Sequence, residues 1–551
     1  MKLTLTGLSS QYIHMPLAPV CLRRAVEEAE PRCEVTVCDI NINETQDTIL
    51  ERVLADEPDV LGVCMYIWNR ECACRLIRRV KAVRPETIVI AGGPEATWSV
   101  ERCFDEMPLD YLLRGAGEES LPMLLGCLID GAPLDDVPGL CLVREGRLLV
   151  REPAIAPPPR ADLYDGRWQT ELQGRMAYVE TSRGCPFSCA FCLSGQRERV
   201  QLMPQEEALG LLVRLGGSGA ETVKLIDRTF NCVRERTTFL LRGLMDAKER
   251  GEIGRVCYHL EVAADLFDEE QLTLLSRAPA GLFQMEAGLQ SFHGETLEAC
   301  SRHTDMARLE SNLRRILAPG NVHLHIDLIA GLPREDFETF GRSFDRAYRL
   351  KPHQLQLGFL KLIHGSRLRM TDWGQRFAPD PPYEVLSTPW LSYGDVCKLR
   401  ACAEALERIG NSGRFADTLR LTLQSVDIRP FELFMHLGRA MAARQGRWSL
   451  DHLTEMVYRE LLTLGVAQEA LRDAMVSDRL ATDRTGCLPP VLQGDAETLR
   501  RAVKRWRDAH PEERHPRCAL LSGGRLLVAC WEEKHPVTQR GETAVYPAMQ
   551  G

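Results

Sequence analysis

Two series of alternating strand and helix patterns, separated by a run of prolines, constrain this chain more than any other feature. In residues 1–150, segments 3–8, 34–39, 60–66, 88–91 and 111–114 read as strands, and segments 18–30, 45–56, 71–83 and 120–128 carry helical periodicity. Repeated βα units predict a doubly wound parallel sheet, because parallel strands need a crossover connection that a helix supplies. Pro157-Pro158-Pro159 then marks a stiff, extended linker within 151–175. A second series follows, with strands at 177–181, 222–226, 258–262, 283–287, 323–329 and 354–360 and helices such as 204–215 and 336–350. This predicts a partial (β/α)6 barrel whose chemistry sits on loops at the carboxyl ends of its strands. Beyond 376 the pattern is mainly helical (393–409, 431–444, 450–465) and closes on a terminal hairpin, 518–521 with 526–530. The fold class is therefore α/β, with expected domains 1–150, 176–375 and 376–551.

A length of 551 residues agrees with about three domains. The net charge of −9, from 68 Lys+Arg against 77 Asp+Glu, argues against nucleic acid as the main partner. The basic stretch 500–517, with Arg500, Arg501, Lys504, Arg505 and Arg507, reads as a solvated helix face. The longest apolar run, 60–68, falls well short of the roughly 18–20 residues of a membrane span. The opening MKLTLTGLSS alternates like a strand and lacks the apolar stretch of a signal peptide, so a cytoplasmic location is expected. Most of the twenty cysteines are then reduced core residues, and a group with ligand spacing stands out.

That group is Arg183-Gly184-Cys185-Pro186-Phe187-Ser188-Cys189-Ala190-Phe191-Cys192, just after the first barrel strand. Three thiolates spaced Cys-x3-Cys-x2-Cys can hold three irons of a 4Fe–4S cluster and leave one iron open. Zinc normally takes a fourth Cys or His, and none is nearby in the sequence.

The segment resembles the radical SAM enzymes, whose signature is Cys-x3-Cys-x-aromatic-Cys, with Phe191 in the aromatic position. Asp327-Leu328-Ile329-Ala330-Gly331-Leu332-Pro333, Gly288-Leu289-Gln290-Ser291-Phe292 and His259-Leu260-Glu261-Val262 are similar to later motifs of the coproporphyrinogen-dehydrogenase branch. The resemblance implies S-adenosylmethionine (SAM) on the open iron, cleaved by one electron to methionine and a 5′-deoxyadenosyl radical. It implies that Glu261 faces the methionine moiety and that Gln290, Arg302 and Asp327 approach the ribose or carboxylate. Lys224-Leu225-Ile226-Asp227-Arg228-Thr229-Phe230-Asn231 replaces the usual Gly-Gly-Glu turn and resembles a variant of cobalamin-dependent members. There Asp227 would take the methionine ammonium, and Arg228 would meet an anionic substrate or the SAM carboxylate.

The amino-terminal region resembles the cobalamin-binding domain of class B radical SAM enzymes. Gly92-Gly93-Pro94 and Gly115-Ala116-Gly117-Glu118-Glu119 match its turns, and glycine lets a backbone approach closely. The implied cobalamin contacts are Ser9, Gln11, Tyr12 and His14 after the first strand, Tyr66 and Trp68 after the third, then Gly92, Gly93, Pro94, Gly115, Gly117 and Glu118. Asp-x-His-x-x-Gly, whose histidine ligates cobalt from below, is absent, and His14 lies in the corresponding loop without the orienting aspartate. The carboxyl-terminal motifs 356–361, 382–385 and 411–415 resemble a subgroup with a helical domain of unknown function.

The expected function is a cobalamin-dependent radical SAM methyltransferase acting on an unactivated carbon of a small molecule or peptide, with an electron donor such as flavodoxin or ferredoxin. The alternatives are cobalamin-assisted oxidation, cyclisation or rearrangement without methyl transfer, a tRNA methylthiotransferase-like activity, and a non-catalytic cobalamin-binding protein. The methylthiotransferase would need a second cluster in the amino-terminal domain, where Cys21, Cys33, Cys38, Cys64, Cys72 and Cys74 read as isolated core residues.

Overall fold

A computed structural model describes residues 1–164, 171–196, 199–444, 446–511 and 516–547. Linker residues 165–170 and residues 512–515 of the basic stretch lie outside these. The chain divides into two compact units: Met1–Leu274 with Cys300–Arg302 and Lys361–Val385, and the remainder.

The first unit opens with a seven-stranded sheet: β1 (Lys2–Thr6), β2 (Glu34–Cys38), β3 (Val60–Cys64), β4 (Ile88–Gly92), β5 (Tyr111–Leu113), β6 (Leu140–Arg144) and β7 (Arg147–Leu149), in the order β2-β1-β3-β4-β5-β6-β7. β1 to β5 are parallel, as the βα pattern predicts. β3 is buried at every residue, which fits a parallel strand with helices on both faces. The edge departs from a purely parallel sheet. β6 and β7 run antiparallel, because Glu145-Gly146 reverses the chain in a two-residue turn.

The same unit holds β8 (Met176–Val179), β9 (Ser182–Arg183), β10 (Gln201–Leu202), β11 (Thr222–Leu225) and β12 (Cys257–Val262). β11 pairs in parallel with β8 and β12, and the short β9 and β10 pair antiparallel. Cys21, Cys33, Cys38, Cys64, Cys72 and Cys74 are buried thiols, Cys72 and Cys74 on one helix, Arg70–Val83, and the others on separate elements or turns, which fits a core role.

The second unit carries β13 (Phe283–Gln290), β14 (His323–Ala330) and β15 (Gln354–Phe359), all parallel. β13 alternates between buried and half-buried residues, so Gln284, Glu286 and Gly288 share one face before a register shift at Gly288–Gln290. Helices Tyr393–Ala405, Ala416–Ser425, Pro430–Ala442, Leu450–Thr463, Gln468–Thr482 and Ala496–Ala509 follow. The last of these buries Trp506 against Leu520, Leu526 and Val528 and leaves Arg500, Arg501, Lys504, Arg505 and Arg507 exposed. The predicted terminal hairpin is a three-stranded antiparallel sheet, Arg517–Leu520, Leu526–Lys534 and Gly541–Tyr546. Its third strand is mostly exposed and so lacks an apolar alternation to betray it. No helix among the described residues is long and apolar enough to cross a membrane.

Candidate functional site

A buried carboxylate roots the cysteine loop. Asp227, just beyond β11, is 2% exposed. Its Oδ1 accepts the Thr181 backbone N–H at 2.7 Å and its Oδ2 accepts the Thr181 hydroxyl at 2.5 Å. Burial raises the Asp227 carboxyl above its ordinary range, and hydrogen bonds from Thr181 and Ser182 oppose the rise. The expectation of Asp227 as the methionine-ammonium partner therefore meets a residue engaged in holding the turn from β8 into β9. Arg236 donates to the carbonyls of Thr181 and Met203 at 3.2 and 2.7 Å, and the β9–β10 pairing closes the base of loop 184–200.

On the loop, Cys185 Sγ lies 3.5 Å from Thr229 Oγ1, Cys189 Sγ accepts from Arg302 Nη1 at 3.5 Å, and Cys192 Sγ accepts the Ser194 N–H at 3.4 Å. Burial pushes the Cys189 thiol up, and Arg302 opposes it. Half-buried Phe191 separates Ala190 from Cys192, and the Ala190 N–H donates to the Cys300 carbonyl at 2.8 Å. Three soft sulfurs on one loop fit three corners of an iron–sulfur cube, with hydrogen-bond donors beside them to stabilise charge on sulfur. Cys232 was missed by sequence reasoning. Its thiol is raised chiefly by burial and also by Asp227 and Cys185, a proximity that spacing alone does not reveal.

The residues predicted to meet SAM divide between the units. In the first, Arg302 reaches the cysteine loop, and the Glu261 carbonyl accepts the Phe230 N–H at 2.8 Å. Arg228 is exposed, and its side chain makes no hydrogen bond or ion pair among the described residues. In the second, Gln290 ends β13 at φ 72° after a register shift. Asp327 Oδ1 lies 3.0 Å from His325 Nε2, and with Glu286 they form a group whose donor atoms all lie within 4.8 Å of one another. Glu286 and His325 were missed, although strand alternation puts His325 on the face of Asp327 and pairing sets Glu286 opposite His325.

At the carboxyl ends of β1 and β3, Tyr66 stacks on Trp68 at 4.2 Å with an interplanar angle of 7°. Trp68 is 50% exposed and Tyr12 73%. Asn69, also missed, ties the two ends together by donating to the Gly7 and Cys64 carbonyls at 2.6 and 3.0 Å. The loop after β1 is pinned by the backbone of Ser9 to Ile40 and Ile42, and the Gln11 carbonyl accepts the His14 N–H at 3.1 Å. Arg175 donates to the Tyr12 and His14 carbonyls, pairs with Asp39 at 2.7 Å and lies over the Tyr12 ring. His14 Nδ1 shares a 2.8 Å hydrogen bond with the Tyr178 hydroxyl, and burial, then Lys224 and Arg175, hold the imidazole below its ordinary pKa.

The glycine turns are packed against backbone of the chain itself. A Cβ on Gly93 (φ 97°) would lie 2.6 Å from the Met65 carbonyl, and one on Gly115 (φ 81°) 2.7 Å from the Ala154 nitrogen. The close approach is therefore made by the chain's own backbone. Gly92 is open by comparison, Pro94 starts the short helix Pro94–Trp98, and a Cβ on Gly117 would meet Leu22. Glu118 pairs with Arg183 at 2.7 Å, next to Gly184 and Cys185. Beside this pair a cavity of about 1140 Å³ is lined by Cys21, Met123 and Pro158 among others.

The B12 binding domain family matches residues 3–125, and the Radical SAM superfamily matches residues 179–347. The chain thus carries a B12 binding domain followed by a radical SAM domain. A family described as a protein of unknown function (DUF4080) matches residues 371–515 of this radical SAM protein. It is 27% identical over 366 residues to the cobalamin-dependent radical SAM methyltransferase TokK of Streptomyces tokunonensis, covering 62% of this chain and 52% of TokK. It is 26% identical over 300 residues to the 2-(S-pantetheinyl)-carbapenam-3-carboxylate methyltransferase of Streptantibioticus cattleyicolor, covering 52% and 44%. The chain thus spans about half the length of these curated relatives. The solved structure of OxsB, a cobalamin-dependent S-adenosylmethionine radical enzyme with aqua-cobalamin and S-adenosylmethionine bound, aligns with a TM-score of 0.61 at 15% identity, over 93% of this chain and 84% of that one. That likeness concerns the fold.

Proposed function

We propose that this radical SAM protein is a cobalamin-dependent methyltransferase that binds a 4Fe–4S cluster, SAM and cobalamin and methylates an unactivated carbon of a small-molecule or peptide substrate. The observation that carries this reading is the loop of Cys185, Cys189 and Cys192, anchored on Asp227 and met by Arg302, in a chain with a B12 binding domain. When bound, the cluster supplies an electron to SAM and cobalamin supplies a methyl carrier.

In this reading the three thiolates hold the cluster, and Arg302 clamps the SAM carboxylate beside Cys189. Glu261 receives its ammonium, and Arg228 offers a cation to an anionic group; in the second unit, Gln290 and Asp327 are proposed as acceptors for ribose hydroxyls. Asp227 acts at one remove, by fixing Thr181 and so the start of the loop. The Tyr66–Trp68 stack and Tyr12 offer aromatic surface to the corrin, and the cavity beside Glu118 has room for a bulky appendage of that cofactor. A flavodoxin or ferredoxin is the proposed electron donor.

The test is anaerobic turnover of reconstituted protein with SAM and a reductant. S-adenosylhomocysteine formed together with 5′-deoxyadenosine supports methyl transfer. 5′-Deoxyadenosine alone moves the assignment to oxidation, cyclisation or rearrangement, and neither product overturns it.

A further inference from the structure

The segment Lys361–Val385 rejoins the first unit after an excursion through the second. It touches both loops assigned to cofactors. At one end, the Leu368 N–H donates to the Ala190 carbonyl at 3.0 Å and the Arg367 guanidinium to the Ser188 carbonyl. Two residues lying between the cluster cysteines are thus held by two consecutive residues of the segment.

At the other end the segment grips the helix Pro94–Trp98, which follows the Gly92-Gly93-Pro94 turn. Tyr383 is fully buried and donates its hydroxyl to Glu95, itself 2% exposed. Arg102 meets Asp380 at 3.1 Å and the Tyr383 hydroxyl at 3.4 Å. A Cβ on Gly365 would lie 2.6 Å from Trp98 Cγ, so backbone and indole run flush. Within the segment, Arg369 lies over the Tyr383 ring at 4.7 Å and His364 meets it edge-on at 4.9 Å, which fixes the phenol.

We infer that this segment is a strap that sets the Gly92-Gly93-Pro94 turn against the cysteine loop, with Tyr383 as a positioning residue acting through Glu95. The inference rests on the reading that this turn receives cobalamin. Its physical basis is the direction of a buried hydroxyl–carboxylate bond. Without the phenol oxygen, Glu95 keeps Arg70 at 3.3 Å, but Arg70 is shared with Glu106 at 2.8 Å and Ser99 at 3.3 Å. The turn beside Glu95 is then free to shift, although neither Tyr383 nor Glu95 need touch the cofactor.

The experiment is titration of full-length, cluster-reconstituted protein with hydroxocobalamin. Tyr383→Phe should weaken binding by about tenfold, the scale of one charge-assisted hydrogen bond, with iron per chain unchanged. Glu95→Gln should weaken it comparably, and the double variant should be no worse than either single one, because both remove the same contact. Leu437→Ala, a buried position in the second unit, serves as a stability reference and should leave affinity unchanged despite a lower Tm. Wild-type affinity in Tyr383→Phe, additive losses in the double variant, or a loss that merely tracks the Tm of Leu437→Ala would each overturn the strap. Wild-type protein that binds no hydroxocobalamin would instead overturn the cobalamin reading beneath it.

Discussion

Cys232 is the sharpest control for the cluster assignment, because it lies close enough for Cys185 to raise its thiol yet falls outside the Cys-x3-Cys-x2-Cys spacing. Cys185→Ala, Cys189→Ala and Cys192→Ala should each lose the broad absorption near roughly 400 nm and the complement of about four irons per chain. Cys232→Ala should keep both in the same spectrum and iron assay. Asp327 is the second residue to test. A carboxylate can accept two ribose hydroxyls at once, whereas an amide offers one acceptor and one donor. Asp327→Asn should therefore lower SAM affinity about tenfold, or 1.4 kcal/mol, with iron unchanged, as read by equilibrium dialysis. Unchanged SAM affinity would leave Asp327 with only its His325 partnership. The cysteine triad was legible in the sequence because its members are neighbours along the chain. Cys232 and Glu286 were not, because they join their sites from other strands and loops, whereas His325 lies two residues before Asp327 on β14 and strand alternation alone could have found it.

Between elements, one approach is so close that a single methyl group tests it. Gly115 bridges to Ala154, whose backbone bonds to Arg114 and Ala116 on either side of the glycine. Gly115→Ala adds a Cβ 2.7 Å from the Ala154 nitrogen at a left-handed φ. It should lower unfolding stability by about 1–3 kcal/mol in a denaturant titration. A second contact reports through pH. Glu335 is fully buried, with Oε1 accepting the hydroxyls of Ser291 at 2.6 Å, just past β13, and Ser343 at 3.0 Å, on the helix Phe337–Arg349. Burial raises its carboxyl from 4.5 to about 7. Below about pH 4.5 both folded and unfolded chains carry the proton. From there to about pH 7 the unfolded chain releases it first, so stability falls, by about 3 kcal/mol in all. Glu335→Gln should remove this slope, so wild type loses stability relative to the variant as pH rises from 5 to 7. A pH-independent difference in Tm would mean that Glu335 does not titrate there. The strands themselves were largely legible: β3 as an unbroken apolar run, β13 by alternation. The β6–β7 hairpin was not, because Arg144, Glu145 and Arg147 break its apolar pattern.

On the scale of the whole chain, the first unit stitches its seven-stranded sheet to the segment of β8 to β12 through Arg175–Asp39, Arg183–Glu118 and His14–Tyr178. The last of these bears on cobalt. The Tyr178 phenol takes His14 Nδ1 and leaves Nε2 for a metal, but the Asp-x-His-x-x-Gly motif with its orienting aspartate is missing, so cobalamin should bind with no protein imidazole beneath it. The paramagnetic resonance spectrum of bound cob(II)alamin should lack nitrogen superhyperfine splitting. A nitrogen triplet that vanishes in His14→Ala would make His14 the ligand. The alternation of βα units made both sheets legible, but not that the first unit closes only with Cys300–Arg302 and Lys361–Val385, since no local pattern records a return over such separations. That return has a consequence for biosynthesis. A ribosome adding roughly 5–20 residues per second needs about 10–35 s to travel from Cys192 to Leu368. Throughout that interval the emerging cysteine loop lacks the Arg367 and Leu368 contacts that cover it in the finished protein, and for the first part of it the Cys300 and Arg302 contacts as well. Iron delivered to the nascent chain would meet three uncovered thiols, so efficient maturation is expected to follow release of the completed polypeptide, and chains terminated before Leu368 should be prone to oxidation at those sulfurs.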